Sequence, residues 1–265
     1  MIKEFRRPSS VEEAVALGKK GYVFLAGGTQ VNNAPFKKWG SPIEKVASLD
    51  ALGLSGVDYS GGQVTIGAGV TLQELVESSI VPAPLRQAAG FIPTRSVRNI
   101  ATIGGNVGAN RPDSYLIPAL IALGAVAVTP GGETLVENYV SQEREELILS
   151  FKLPPIQGSC LVAKESRSHL ALPVVSAAVR LATTGDGIRE AAVAAGCVAR
   201  HVLRLPEVER YVVEAQSLQD GTLEERIADS VEPLADILGS VEYKRYINSV
   251  IIADLIRRCA EEVSE

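Results

Sequence analysis

The sequence predicts a chain that mixes short helices and strands throughout and divides into two parts near Pro154-Pro155. Three observations carry this. Ser/Thr-x-x-Glu boxes open several amphipathic stretches: Ser10 with Glu13, Thr71 with Glu74, Thr222 with Glu225. Short alternating runs such as Gln63–Gly67 are bounded by glycine, the pattern of half-buried strands. After Pro154-Pro155 the pattern changes to three long apolar runs followed by helical periodicity alone.

Taken in order, Val11–Lys20 is a short helix stopped by Gly21, and Tyr22–Ala26 is a buried strand. Residues through Trp39 and Pro42 carry no clear pattern; Lys45–Leu49 reads as another strand. Gln63–Gly67 precedes a capped helix, Leu72–Ser78. Gly67-Ala68-Gly69 between them lacks the third glycine and the following acidic residue of a dinucleotide fingerprint, so it reads as a tight turn. Pro84–Gly90 is a helix. Leu116–Leu123 is apolar almost all round and should be a buried one, ended by Gly124. Ala125–Thr129 and Glu133–Val136 flank Pro130-Gly131-Gly132 as a hairpin, and Leu147–Leu153 is a strand. Beyond the two prolines, Cys160–Glu165, Val174–Thr183 and Ile188–Ala195 are strands, the last two joined by a hairpin at Thr184–Gly187. Pro206–Ala215, Thr222–Ile227 and a final helix from Val241 complete the chain. That last helix should bury Tyr246, Ile247, Val250, Ile251, Leu255 and Cys259.

Composition narrows the function. Of 265 residues 46% are apolar and 22% charged, with a net charge of −5 and no Lys/Arg-rich run, so neither nucleic acid nor an anionic membrane is an expected partner. No apolar run is long enough to span a bilayer, and the first residues lack a secretion signal, so the expected location is cytoplasmic. The three cysteines, Cys160, Cys197 and Cys259, lie far apart and read as reduced, buried residues; they do not encode a zinc site or an iron–sulfur cluster. Neither His169 nor His201 stands at metal-ligand spacing from another strong ligand.

Two stretches stand out: Phe24-Leu25-Ala26-Gly27-Gly28-Thr29-Gln30-Val31, and Ala101-Thr102-Ile103-Gly104-Gly105-Asn106. Each is an apolar step, Gly-Gly and a small polar residue. Where two residues lack Cβ a ligand can approach the main chain, and successive N–H groups can turn toward one anion. A pair of such stretches suggests two loops converging on a phosphate-bearing ligand. Arg95 and Arg98, just before the second, read either as surface charge or as partners for a carboxylate or phosphate.

In this order the motifs resemble the flavin-binding (medium) subunit of the molybdenum hydroxylases, the xanthine dehydrogenase and carbon monoxide dehydrogenase family. The likeness covers essentially the whole chain. It runs through Phe5 and Pro8, Leu25–Thr29, Ile66–Gly69, Arg98–Asn106, Pro118–Leu123, Lys164 with Arg167, and the closing Val241–Tyr246. Arg98-Asn99-Ile100-Ala101-Thr102-Ile103-Gly104-Gly105-Asn106 is its most specific block. The resemblance implies an α+β fold: a two-lobed FAD-binding domain of the vanillyl-alcohol-oxidase (PCMH) type over 1–155, with lobes of about 1–55 and 56–155. A small C-terminal α+β domain with a three-stranded sheet would follow over 156–265.

It also implies FAD as cofactor, with Phe24, Leu25, Ala26, Gly27, Gly28, Thr29, Gln30 and Val31 on one side of the diphosphate. Ala101, Thr102, Ile103, Gly104, Gly105 and Asn106 would lie on the other, Ile92 near the cofactor, Leu147 or Ile148 beside the flavin and Lys164 close to the ring system. The chain departs from the family at Gln30, where Asp is common, and at Tyr115, where a cofactor-bonding Asp is usual; Asp113 and Ser114 are the candidate substitutes.

The implied function is electron transfer. A [2Fe-2S] subunit would donate, NAD or another acceptor would receive, and substrate oxidation would occur at a molybdenum-cofactor subunit. No catalytic acid, base or nucleophile is expected in this chain, which should not oxidise substrate alone. The alternatives are a non-catalytic scaffold with weak FAD retention and a stand-alone flavin oxidoreductase.

Overall fold

The computed structural model describes residues 2–31, 43–142, 145–184, 187–215, 217–219 and 221–264. The unpatterned stretch holding Trp39 and Pro42, and Gly185 and Asp186 at the hairpin tip, lie outside the described residues.

The first lobe is built from β1 (Glu4–Arg6), α1 (Val11–Lys19), β2 (Val23–Leu25) and β3 (Lys45–Ser48). Its strands form a parallel sheet in the order β1-β3-β2. Ser10 caps α1 by accepting from the Glu13 amide at 3.2 Å. The Glu13 carboxylate reaches back to Ser9, not Ser10, so the predicted box closes one residue early. Gly21, at φ +80°, supplies the left-handed turn that stops the helix.

The second lobe contains β4 (Val57–Ser60), β5 (Gln63–Gly67), α2 (Leu72–Glu77), α3 (Ala83–Gly90), α4 (Arg95–Arg98), α5 (Ile103–Ala109) and α6 (Leu116–Ala122). It continues with β6 (Val126–Thr129), β7 (Gly132–Leu135), α7 (Val136–Ser141) and β8 (Ser150–Leu153), and its sheet runs β4-β5-β8-β6-β7. The Thr71–Glu74 box on α2 is complete in both directions. Two expectations are corrected here. Leu147–Leu149 lies outside the β8 ladder, so that strand is shorter than its apolar run. The second Gly-Gly stretch is the first turn of α5, N-capped by Thr102, and not a loop. Helical geometry wins there because Thr102 Oγ1 accepts from the Gly105 amide at 3.0 Å, and the Gly104 and Ile103 amides bond the carbonyls of Ala68 and Val70.

The C-terminal part has β9 (Ser159–Ser166), β10 (Pro173–Thr183), β11 (Ile188–Gly196), β12 (Leu203–Arg204), α8 (Pro206–Glu214), α9 (Thr222–Asp229) and α10 (Val241–Ser264). The three expected strands form an antiparallel sheet, and the two-residue β12 adds a fourth at its edge, giving β12-β11-β10-β9. Alternation sorts the side chains of this sheet. Val162, Ala178 and Ala194 join the core that surrounds α6, whereas Val175, Val179, Leu181 and Val193 pack with α10. Helix α6 is buried at every position, as its composition requires.

Two helix details differ from the sequence reading. Thr222 is the first residue of α9, whose cap is Gly221, so its predicted box does not form. On α10, Tyr246 is 65% exposed and Val250 also faces outward, while Asn248, Ser249, Ile252 and Ile256 are buried. Among the described residues no helix is long and apolar enough to cross a membrane.

Candidate functional site

Strand β2 delivers the chain to Ala26-Gly27-Gly28-Thr29 in a cramped place. A Cβ on Gly27 would lie 1.6 Å from the Ile100 carbonyl oxygen, so only glycine lets the two main chains pass. Gly28 follows at φ +73°. Among the described residues, nothing accepts from the amides of Gly27, Gly28 and Thr29. Helix α5 comes up opposite, close enough that a Cβ on Gly105 would touch that of Ala26 at 3.9 Å. The two stretches do converge, but unequally. The Ile103, Gly104, Gly105 and Asn106 amides are all committed inside the protein, so the second stretch has only the Thr102 amide without an acceptor among the described residues, against three in the first.

Between them lies a cavity of about 960 Å³, at the upper end of the roughly 300–1,000 Å³ usual for small-molecule sites. Of the residues singled out in the sequence, Phe24, Ala26, Gly27, Gly28, Thr29, Gln30, Val31, Thr102, Gly104, Gly105, Leu147 and Ile148 line it. Leu25, Ile92, Ala101, Ile103, Asn106, Asp113, Ser114 and Lys164 do not. Ala101 and Ile103 are core residues, and the Leu25 carbonyl accepts from Leu49. Ile92 packs against the core, and its carbonyl accepts from the Arg98 guanidinium at 2.5 Å. Asp113 is ion-paired with Arg111, and Ser114 is buried beneath Asn106. Arg95 pairs with Glu77 at 2.9 Å, so neither arginine is a free anion partner.

The model of the FAD binding domain in molybdopterin dehydrogenase matches residues 2–156, and that of the CO dehydrogenase flavoprotein C-terminal domain matches 162–262. The uncharacterized protein YgfM of Escherichia coli (strain K12) is 40% identical over 271 residues, covering 100% of this chain and 99% of its own. The xanthine dehydrogenase FAD-binding subunit of Escherichia coli O157:H7 is 27% identical, over 84% of this chain and 83% of that one. Among solved structures, carbon monoxide dehydrogenase from Hydrogenophaga pseudoflava superposes with a TM-score of 0.83 at 24% identity, over 100% of this chain and 98% of that one.

The chain belongs to this family. It is an FAD-binding subunit of the molybdenum hydroxylase family, of the carbon monoxide and xanthine dehydrogenase type, with the PCMH-type fold.

The cavity of this FAD-binding subunit fits the cofactor's chemistry. A diphosphate needs donors, and the amides of Gly27, Gly28 and Thr29, which have no acceptor among the described residues, are groups of that chemistry. Gln30 lines the cavity, and its Oε1 is enclosed with no hydrogen-bond partner. Sequence reasoning missed other parts of the lining: Leu54, Ser55, Ala68, Gly69, Gly108, Gly131 and Tyr139. Gly108 was legible, standing one helical turn from Gly104 and Gly105; nothing marked Leu54 or Ser55. Gly104 is held to glycine by its neighbours as well as by its place in the lining. Its Cβ would come within 2.6 Å of the Ala68 Cβ and 2.8 Å of the Ala68 carbonyl oxygen, so a side chain there disrupts packing rather than blocking cofactor alone.

At the seam with the C-terminal sheet, Lys164 Nζ donates to the Phe91 carbonyl at 3.2 Å and lies 5.5 and 5.7 Å from the Phe91 and Tyr115 ring centres. The two rings meet edge to face at 5.6 Å. Burial, with Cys197 and Asp113 nearby, pushes the Tyr115 hydroxyl up to about 12, so it stays protonated. The three cysteines are unpaired. Among the described residues no group of three or more His, Cys, Asp or Glu could hold a metal ion.

Proposed function

We propose that this subunit is an electron carrier, accepting electrons from a [2Fe-2S] partner chain and passing them to NAD or another acceptor. Substrate is oxidised elsewhere, at a molybdenum cofactor on a third chain. The observation that carries this reading is the cavity in which the open amides of Gly27, Gly28 and Thr29 face Thr102 and Gly105. It is joined by the match of both halves of the chain to the FAD binding domain in molybdopterin dehydrogenase and the CO dehydrogenase flavoprotein C-terminal domain. Bound FAD supplies the reversible redox chemistry; the protein binds, orients and tunes it. In this reading the first glycine stretch holds the diphosphate. Thr102 and Gly105 form the opposing wall, and Leu147 and Ile148 close the far side. Lys164, the lysine that the family likeness sets near the flavin, is steadied by Phe91 and Tyr115.

Purified protein titrated with FAD tests the cofactor role: a yellow protein with quenched flavin fluorescence is expected, and a colourless one that refuses FAD overturns it. Co-expression with an iron–sulfur chain encoded beside it should yield a complex whose flavin is reduced through that chain; turnover by the isolated subunit would count against the carrier role. Lys164→Met should lower the flavin midpoint potential with little loss of affinity, because an ammonium near the ring favours the anionic reduced form. An unaltered potential removes Lys164 from the site. A scaffold with weak FAD retention is the competing reading. It is favoured by one observation, that Lys164 is engaged by Phe91 and Tyr115 and does not line the cavity. The same titration separates the two.

A further inference from the structure

Asn106 belongs to the most specific motif in the chain, yet it does not line the cavity, and its carboxamide oxygen is already used. Ser114 Oγ donates to Asn106 Oδ1 at 2.6 Å. The same Ser114 oxygen accepts from the amides of Leu116 and Ile117, each at 3.2 Å, at the start of α6. A hydroxyl has two lone pairs and one hydrogen. With both lone pairs turned to main-chain amides, the hydrogen is left for Asn106, and the atom receiving it must be an acceptor. This bonding pattern fixes which end of the carboxamide faces inward, independently of how an amide is ordinarily assigned. The turn itself is clamped from the C-terminal sheet, where Ser176, 1% exposed, donates to the Ser114 carbonyl at 2.7 Å. Among the described residues nothing accepts from Asn106 Nδ2, and that nitrogen is not an enclosed, unpaired atom, so it opens to solvent one residue beyond the cavity-lining Gly105.

We propose that Ser114 is a positioning residue that sets the polarity of the Asn106 carboxamide, so that Asn106 offers an NH₂ donor to an acceptor oxygen of the bound dinucleotide. This rests on the FAD reading and deepens it. Ser114 does not stand in for the family's Asp by touching cofactor; it acts through Asn106, and Ser176 holds it there from β10.

A double-mutant cycle on the full chain tests this, read by FAD affinity from flavin fluorescence quenching and by thermal melting of the cofactor-free protein. Ser114→Ala should weaken FAD by roughly five- to tenfold, the worth of one hydrogen bond. Asn106→Asp keeps an acceptor for the Ser114 hydroxyl but replaces the free donor with a negative oxygen, and should weaken FAD by roughly 10- to 100-fold. The deciding arm is the pair. A carboxylate has two equivalent oxygens, so nothing remains for Ser114 to orient, and Ser114→Ala in the Asp background should change affinity by less than about twofold. The melting losses, which report the two α6 amides left without an acceptor, should instead be the same in both backgrounds.

Additive affinity losses would make Ser114 merely structural and overturn the proposal, as would wild-type affinity in Asn106→Asp. If Ser114→Ala proves too unstable to purify, Ser114→Thr, which keeps the hydroxyl, should retain wild-type affinity and Ser114→Cys should lose it in the Asn106 background only; equal losses in both backgrounds overturn the proposal. Repeating the titration with ADP identifies the oxygen. A loss shared by ADP and FAD assigns it to the diphosphate, a loss confined to FAD assigns it to the flavin half, and either supports the proposal. Wild-type protein that binds no FAD fails the functional reading first, and this inference with it.

Discussion

Gly27 and Gly108 both line the cavity, for opposite reasons. Gly27 is required by the protein itself, since any Cβ there would strike the Ile100 main chain. Gly108 has nothing within 4 Å of where a Cβ would stand, and it sits inside α5, where glycine is a poor helix former. Gly27→Ala should therefore destabilise the protein by about 3 kcal/mol, a severe case of overpacking. Gly108→Ala should stabilise the cofactor-free protein by about 1 kcal/mol through helix propensity, while its methyl group enters the cavity and weakens FAD. Urea unfolding of the empty protein, beside an FAD titration, checks both signs. A Gly108→Ala protein that loses stability, or binds FAD unchanged, would show that this glycine is kept for packing instead of ligand access.

At the level of elements, capping boxes show where sequence logic holds and where it slips. Thr71 and Glu74 satisfy each other's end of α2 in both directions, and Thr71 also bridges to Thr102 at the start of α5. Thr222 and Glu225 have the same spacing, yet Gly221, in the left-handed conformation, takes the cap and leaves Thr222 inside the helix. Thr71→Ala should cost about 1 kcal/mol, measured by chemical denaturation. The long elements were legible because their burial is nearly uniform: α6 is enclosed throughout, and β10 is buried along almost its whole length. The second glycine stretch was misread as a loop because its glycines suggested flexibility. What makes it a helix is the Thr102 cap and the carbonyls of Ala68 and Val70, contacts that depend on segments about 35 residues upstream. Likewise the outward face of α10 could not be read from apolar spacing, because the residues it buries include Lys244, Asn248 and Ser249. The first two are held by carbonyls of the loop before the helix, of β10 and of the helix itself.

At the scale of the whole molecule, four weak acids, the buried Cys259 and the half-buried Cys160, Cys197 and Tyr115, are each raised chiefly by burial and link folding to pH on the alkaline side. Burial pushes the thiols of Cys160 and Cys197 up to about 12 from an ordinary 9.0, and the Tyr115 hydroxyl up to about 12 from 10.0. Such groups are favoured neutral in the fold, so their contribution is fully present below the unfolded values. Between about 9 and 12 the unfolded chain releases protons that the folded chain keeps, and stability falls as pH rises. Each group adds a slope of roughly 1 kcal/mol per pH unit while the two states differ by a full proton. Cys197 is the most informative, because it also sits at φ +64°, where a Cβ is strained. Cys197→Gly removes the titrating thiol and relieves that strain together. The variant should match or exceed wild-type stability at pH 7 and lose less between pH 9 and 11. Urea midpoints across that range decide it: a slope as steep as wild type would mean the Cys197 thiol titrates alike in both states, and the alkaline loss would then rest on Cys160, Cys259 and Tyr115.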